Sequence, residues 1–123
     1  MTPSEYIKNV LRTEPKKYFF GTTNNITPRI EHAVFGIVTE SGELMSQIKR
    51  AKIYGTKIDK INLIEELGDC MWYYGLLCDE LGISFEEVWE KNIAKLQARF
   101  PEKYKKSDAL KRNLKKERKI LEK

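Results

Sequence analysis

Four carboxylates arranged as two pairs are the residues best placed to do chemistry: Glu40 and Glu43 in Glu40-Ser41-Gly42-Glu43, and Glu66 and Asp69 in Glu66-Leu67-Gly68-Asp69. Within each pair the acids are three residues apart, so on a helix they share a face, with Cβ atoms ~5–6 Å apart. Two such pairs on neighbouring helices gather four acids in one place. Crowded carboxylates beside apolar surface repel one another and are costly to desolvate unless a cation compensates. An all-oxygen donor set suits Mg²⁺, with Mn²⁺ as a substitute, rather than zinc. A di-iron centre would need Glu-x-x-His on two helices. The single histidine, His32, stands in neither pair and reads as a surface or partly packed residue.

A second constellation follows at Asn92, Lys95 and Arg99, whose spacing puts them on one helix face. Asn92 falls in the middle of an apolar stripe, where an amide needs a partner. Lys95 and Arg99 make that strip cationic, which is the chemistry that holds phosphate oxygens. Lys49, two turns after the first acid pair, is a further candidate for a phosphate tail. Trp72 and Tyr73 directly follow the second pair. Tyr73, one turn beyond Asp69, reads as a pocket wall, and Trp72 as either core or a stacking surface for a ligand. There is no Walker-type glycine loop, and one histidine without a Ser/Asp arrangement makes no triad. Cys70 and Cys78 sit eight apart on one predicted helix, too far for a mutual disulfide, and are read as buried free thiols.

The elements that must position these groups are helices. Thr2-Pro3-Ser4-Glu5 carries a capping box with proline at the first helical position, predicting a helix over 3–12. Residues 13–27 read as loop. Thr27-Pro28 opens a second helix reaching Tyr54, with Gly55 as its stop and Ile30, Val34, Ile37, Ser41, Leu44 and Ile48 as its buried stripe. Asp59 caps a third, 60–81, which is apolar nearly all round and so reads as central and surrounded. Gly68 within it is expected to admit a close backbone approach. Ser84-Phe-Glu-Glu87 starts a fourth helix, with Phe85, Val88, Trp89, Asn92, Leu96 and Phe100 on its inner face, ended by Pro101. Ser107 is expected to cap a last helix, 108–121. No stretch alternates as a strand. The expectation is an all-α four-helix bundle with a short N-terminal helix and a basic C-terminal arm. Residues 1–106 form a single catalytic domain, followed by the arm at 107–123.

The chain is long enough to bury a core, and no apolar run approaches a membrane span. The opening residues lack the basic and apolar regions of a secretion signal, and the free thiols suit a reducing compartment, so a cytoplasmic protein is expected. The net charge of +5 is uneven: residues 101–123 hold ten Lys or Arg against four acids, and the rest is close to neutral. The basic balance is therefore a property of one terminal segment.

In its wording as well as its spacing the sequence resembles the MazG-like all-α nucleoside triphosphate pyrophosphohydrolases. Three blocks occur in order over about residues 28–106: Thr39-Glu-Ser-Gly-Glu-Leu44, Glu65-Glu-Leu-Gly-Asp-Cys-Met-Trp-Tyr73, and Asn92-x-x-Lys95-x-x-x-Arg99-Phe-Pro101. The resemblance implies hydrolysis of a (deoxy)nucleoside triphosphate between the α and β phosphates, in nucleotide-pool control or house-cleaning. It implies assembly into homodimers or homotetramers, and Glu40, Glu43, Glu66 and Asp69 as magnesium ligands. It also implies Asn92, Lys95 and Arg99 as contacts for substrate phosphates and sugar. Glu43 and Glu65 both remain open as the acceptor of the water's proton. Arg50 stands where some pyrimidine-specific members carry an aromatic, which leaves base choice open. A non-catalytic helical module whose basic tail contacts nucleic acid or an acidic partner is the competing reading. A leucine seam packing that tail on protein is the simpler account of it.

Overall fold

The computed structural model describes residues 1–123, and all of its regular elements are helices. The chain packs as two compact units, residues 1–83 and 84–123. The all-α class expected from the sequence is what the chain forms, and no helix is long and apolar enough to cross a membrane.

The first unit holds α1 (Pro3–Thr13), α2 (Pro28–Tyr54) and α3 (Lys60–Leu81). Their ends lie where the capping chemistry puts them. The Thr2 hydroxyl accepts from the Glu5 N–H while the Glu5 carboxylate accepts from the Thr2 N–H, a complete capping box. Thr27 caps α2 by accepting from the Ile30 N–H, and Asp59 caps α3 by accepting from Ile61 and Asn62. Gly55 and Gly82 end these helices in the left-handed conformation that glycine adopts without a Cβ penalty. In the 13–27 loop, Asn24 and Asn25 take positive φ to close a turn bridged by Thr23 and Ile26.

α3 packs along α2 and also carries α1. The core between them is Val10, Ala33 and Leu76, with Tyr6, Trp72 and Leu77 packed around it. Arg29 at the start of α2 ties three segments together. Its guanidinium bonds Glu14 in the loop after α1 and both Asp79 and Glu80 at the end of α3, at 2.6–2.7 Å.

Three expectations change here. The buried side of α2 runs through Ala33 and Gly36, with Ile37, Glu40 and Leu44 half-buried, whereas Val34, Ser41 and Ile48 are exposed. The stripe is rotated because the small residues, not the β-branched ones, face α3. Nor is α3 surrounded: Cys70, Gly75, Leu76 and Cys78 are buried, but Ile61 and Ile64 are 80% and 69% exposed. Two partner helices cover only one side of it. The close approaches are made at Gly36 and Gly75, where an added Cβ would meet Tyr73 and Val10. At Gly68 and Gly42 it would meet nothing within 4 Å.

The second unit holds α4 (Phe85–Arg99), α5 (Lys106–Leu110) and α6 (Leu114–Glu122), with α6 packed on α4. The single helix expected over 108–121 is broken. Ser107 makes no cap. Asn113 instead accepts from the Lys116 N–H and starts a new helix, consistent with asparagine's preference for that position. Asn92 is exposed rather than set in a buried stripe, and Trp89 and Ile93 on the same helix are exposed as well.

Glu117 on α6, its side chain only 7% exposed, receives Arg99 through bonds of 2.9 and 2.8 Å and Arg112 through bonds of 2.6 and 3.4 Å. The two guanidiniums hold its carboxyl down at about 2, from an ordinary 4.5. An acid whose folded pKa is depressed stabilises fully above its unfolded value. That contribution shrinks as pH falls below 4.5 and is gone below about 2. Urea midpoints measured across this window are expected to fall with pH, and Glu117→Gln is expected to flatten that dependence.

Candidate metal centre and adjoining cavity

Glu40 is supplied by the buried side of α2, and Glu66 and Asp69 by one face of α3. Each of these three acids places a carboxylate oxygen within 4.8 Å of an oxygen of the other two. Glu40 and Glu66 are half-buried and Asp69 is exposed. The crowding is felt at Glu40, whose pKa is raised first by burial, then by Asp69, by a hydrogen bond with Glu66, and by the charges of Glu66 and Glu43. The donors are all oxygen, converge from two helices, and share an excess of negative charge, which fits a hard divalent cation. No nearby lysine or arginine pairs with these carboxylates.

Glu43 is exposed and lies outside the three-acid set, although its charge still acts on Glu40. Glu65 is exposed too. Its Oε2 accepts a 3.2 Å bond from the Asn62 amide, which also donates to Glu66 Oε1 at 3.3 Å. Asn62 was not among the residues expected from the sequence. It belongs to α3, one turn before both acids, and only the i, i+3, i+4 spacing hints at it.

Next to the acids a solvent-open cavity of about 410 Å³ is lined by Thr13, Pro15, His32, Glu40, Asp69, Trp72 and Tyr73. Tyr73 lines this cavity. Its hydroxyl pKa is raised by burial and by the Glu40 and Asp69 charges. Trp72 packs against the core and also lines the cavity, its indole N–H donating to Thr13 at 2.7 Å. His32 is partly packed, as expected, but its place in the cavity was missed. Its ring meets Trp72 and Tyr73 edge-on, at 5.8 and 5.4 Å between centroids. Tyr18 donates to Glu14 and lies 3.1 Å from His32 Nδ1, so its oxygen can accept only from an Nδ1–H. Burial and the Glu14 bond push the Tyr18 hydroxyl up to about 12.

Among the other candidates, Lys49 is exposed on α2. Asn92, Lys95 and Arg99 belong to the second unit, where Arg99 is engaged by Glu117.

Proton and cation should compete at Glu40. Its raised pKa means that the folded state holds a proton the unfolded chain has released. Without a cation, stability is therefore lowest above the folded pKa and recovers as pH falls toward the ordinary 4.5. Mn²⁺ is expected to raise Tm at neutral pH, with the increment shrinking on acidification. Glu40→Gln is expected to abolish both effects in thermal melts.

The first unit thus presents a converging carboxylate cluster beside a cavity walled by His32, Trp72 and Tyr73. Residues 30–104 match the family model described as the MazG nucleotide pyrophosphohydrolase domain, and the chain belongs to that family. It is similar to the gene 37 protein of Mycobacterium phage L5, 31% identical over 74 residues that cover 57% of this chain and 65% of the phage protein. The chain thus spans just under two thirds of that relative's length. No solved structure matches it.

Proposed function

We propose that the protein is a Mg²⁺-dependent nucleotide pyrophosphohydrolase. It cleaves (deoxy)nucleoside triphosphates between the α and β phosphates to a monophosphate and pyrophosphate, in nucleotide-pool control or house-cleaning. The observation that carries this reading is the convergence of Glu40, Glu66 and Asp69 inside the segment matched by the family model. Mn²⁺ is the natural substitute for the metal.

In this reading Glu40, Glu66 and Asp69 would hold the cation, joined by Glu43. A cation held there would supply neutralisation of phosphate charge and polarisation of phosphorus. Water adds to phosphorus, the α–β bridging P–O bond breaks, and its electron pair leaves with pyrophosphate. Glu65 or Glu43, both outside the three-acid set, accepts the proton of the attacking water. Tyr73 and Trp72 position the nucleoside in the adjoining cavity. Asn92, Lys95, Arg99 and Lys49 serve the sugar and phosphates. For Arg99, its partnership with Glu117 supports a held guanidinium. Residues 1–106 form the catalytic domain, and 107–123 are the arm that supplies Glu117.

A panel of NTPs and dNTPs with Mg²⁺, read by separate assays for pyrophosphate and orthophosphate, tests the reading. Pyrophosphate release supports it; release of orthophosphate alone, or no turnover, overturns it. The nucleic-acid-binding alternative is weakened because Glu117 engages Arg112 within the tail and α6 packs on α4.

The exposed apolar surfaces of α2 and α3 support a homodimer or homotetramer. Phe35, Val38 and Met45 on the former and Ile61, Ile64 and Leu67 on the latter are each more than half exposed. So much apolar area is unusual for a monomer. Light scattering on the eluting peak should report a mass of two or four chains; a clean monomer would overturn this assignment. The buried free thiols of Cys70 and Cys78 support a cytoplasmic setting.

A further inference from the structure

Asn62 is the residue whose arrangement the fold does not explain. Its amide nitrogen donates to Glu65 Oε2 at 3.2 Å and Glu66 Oε1 at 3.3 Å. Its Oδ1 is buried and has no hydrogen-bond partner, the one such side-chain atom in the chain. Turning the amide over would not repair this. It would set Oδ1 against the carboxylate oxygens Glu65 Oε2 and Glu66 Oε1, acceptor facing acceptor. The orientation is therefore dictated by the acids, at the expense of the amide's own acceptor. A side chain present only for packing or local structure would be expected to satisfy that oxygen.

We propose that Asn62 is a positioning residue for the cation site. One N–H fixes Glu66, so that its other oxygen is presented to Glu40 and Asp69. The second N–H holds Glu65 beside the cluster and keeps the two adjacent carboxylates from turning into each other. Donors behind a ligating carboxylate set its direction, and their loss commonly weakens metal binding by about 10–100-fold. The proposal rests on the cation-site part of the proposed function but not on the reaction.

The test is Mn²⁺ titration calorimetry on the full chain without nucleotide, with thermal melts of the same proteins. Asn62→Leu keeps nearly the same shape and removes both the donors and the orphaned acceptor. It is expected to bind Mn²⁺ about tenfold or more weakly while its metal-free Tm is unchanged or higher. Asn62→Ala is the second variant, should leucine disturb the helix, and the same loss of affinity is expected. A purely structural role would move Tm and leave Mn²⁺ affinity alone, so affinities within twofold of wild type in both variants overturn the proposal. Failure of the wild-type chain to bind Mn²⁺ overturns it as well. If wild type binds Mn²⁺, the variants bind it weakly and no nucleotide is hydrolysed, the positioning role stands and the enzymatic reading fails.

Discussion

Asp69→Asn is expected to lower nucleotide hydrolysis by on the order of 10³-fold, equivalent to about 4 kcal/mol of transition-state stabilisation, while the variant melts higher than wild type. The two effects have one cause. Asp69 is one of three acids whose oxygens lie within 4.8 Å of each other, and its charge is, after burial, the leading influence raising Glu40's pKa. Removing that charge relieves repulsion in the metal-free protein and removes a ligand from the metal-bound one. Sites that bind strongly charged ligands often sacrifice stability in this way. Glu66→Gln should behave similarly. Glu43→Gln differs if its carboxylate is a base rather than a ligand: kcat should fall while Mn²⁺ affinity is kept. Pyrophosphate release, calorimetric Mn²⁺ affinity and helical circular dichroism together check the prediction. An Asp69→Asn protein that is active, or inactive only because it has unfolded, would contradict the cation-site assignment.

The acids were legible in the sequence because local rules suffice for them. Residues three apart on a helix share a face whatever the helix packs against, and caps at Thr2, Thr27, Asp59 and Ser84 define the ends of four helices. What stayed hidden depends on which face meets which neighbour. The stripe of α2 was misjudged because hydrophobicity pointed to Val34 and Ile48, while close packing on α3 selected Ala33 and Gly36. His32 and Thr13 are far apart in sequence from Asp69, and only the fold returns them to one cavity. The break before α6 was missed because Leu110, Leu114 and Leu121 suggested one continuous seam. It turned on Asn113 as a cap and on Arg112 being drawn to Glu117. Arg29 illustrates the same limit: a charged residue in the first turn of a helix carries no sign of the three acids it will meet.

Gly36→Ala brings that tertiary information to a test, because the ordinary sign of the substitution is reversed by a neighbour. In the interior of a helix, alanine is favoured over glycine by about 1 kcal/mol. Gly42→Ala and Gly68→Ala, where an added methyl would meet nothing within 4 Å, are therefore expected to stabilise by about 0.5–1 kcal/mol. At Gly36 the methyl would overlap the ring of Tyr73. Overpacking of this kind costs about 1–3 kcal/mol, so the propensity gain is offset or exceeded and the variant should melt below the other two. The functional effect is larger. Tyr73 can clear the methyl only by swinging away from α2, and so from Glu40 and Asp69, with which it shares the cavity wall. A displacement of about 1 Å can reduce kcat/KM by up to 10²-fold when a group positions the substrate. The loss should appear mainly in KM, since the role proposed for Tyr73 is to contact the nucleoside and not the bond that breaks. Gly36→Ala combined with Tyr73→Leu, which vacates part of the ring's space, is expected to recover the stability but not the KM. If Gly36→Ala proves as stable as Gly42→Ala and as active as wild type, the ring does not rest on α2 in solution. The base-binding role assigned to Tyr73 would then lose its structural support.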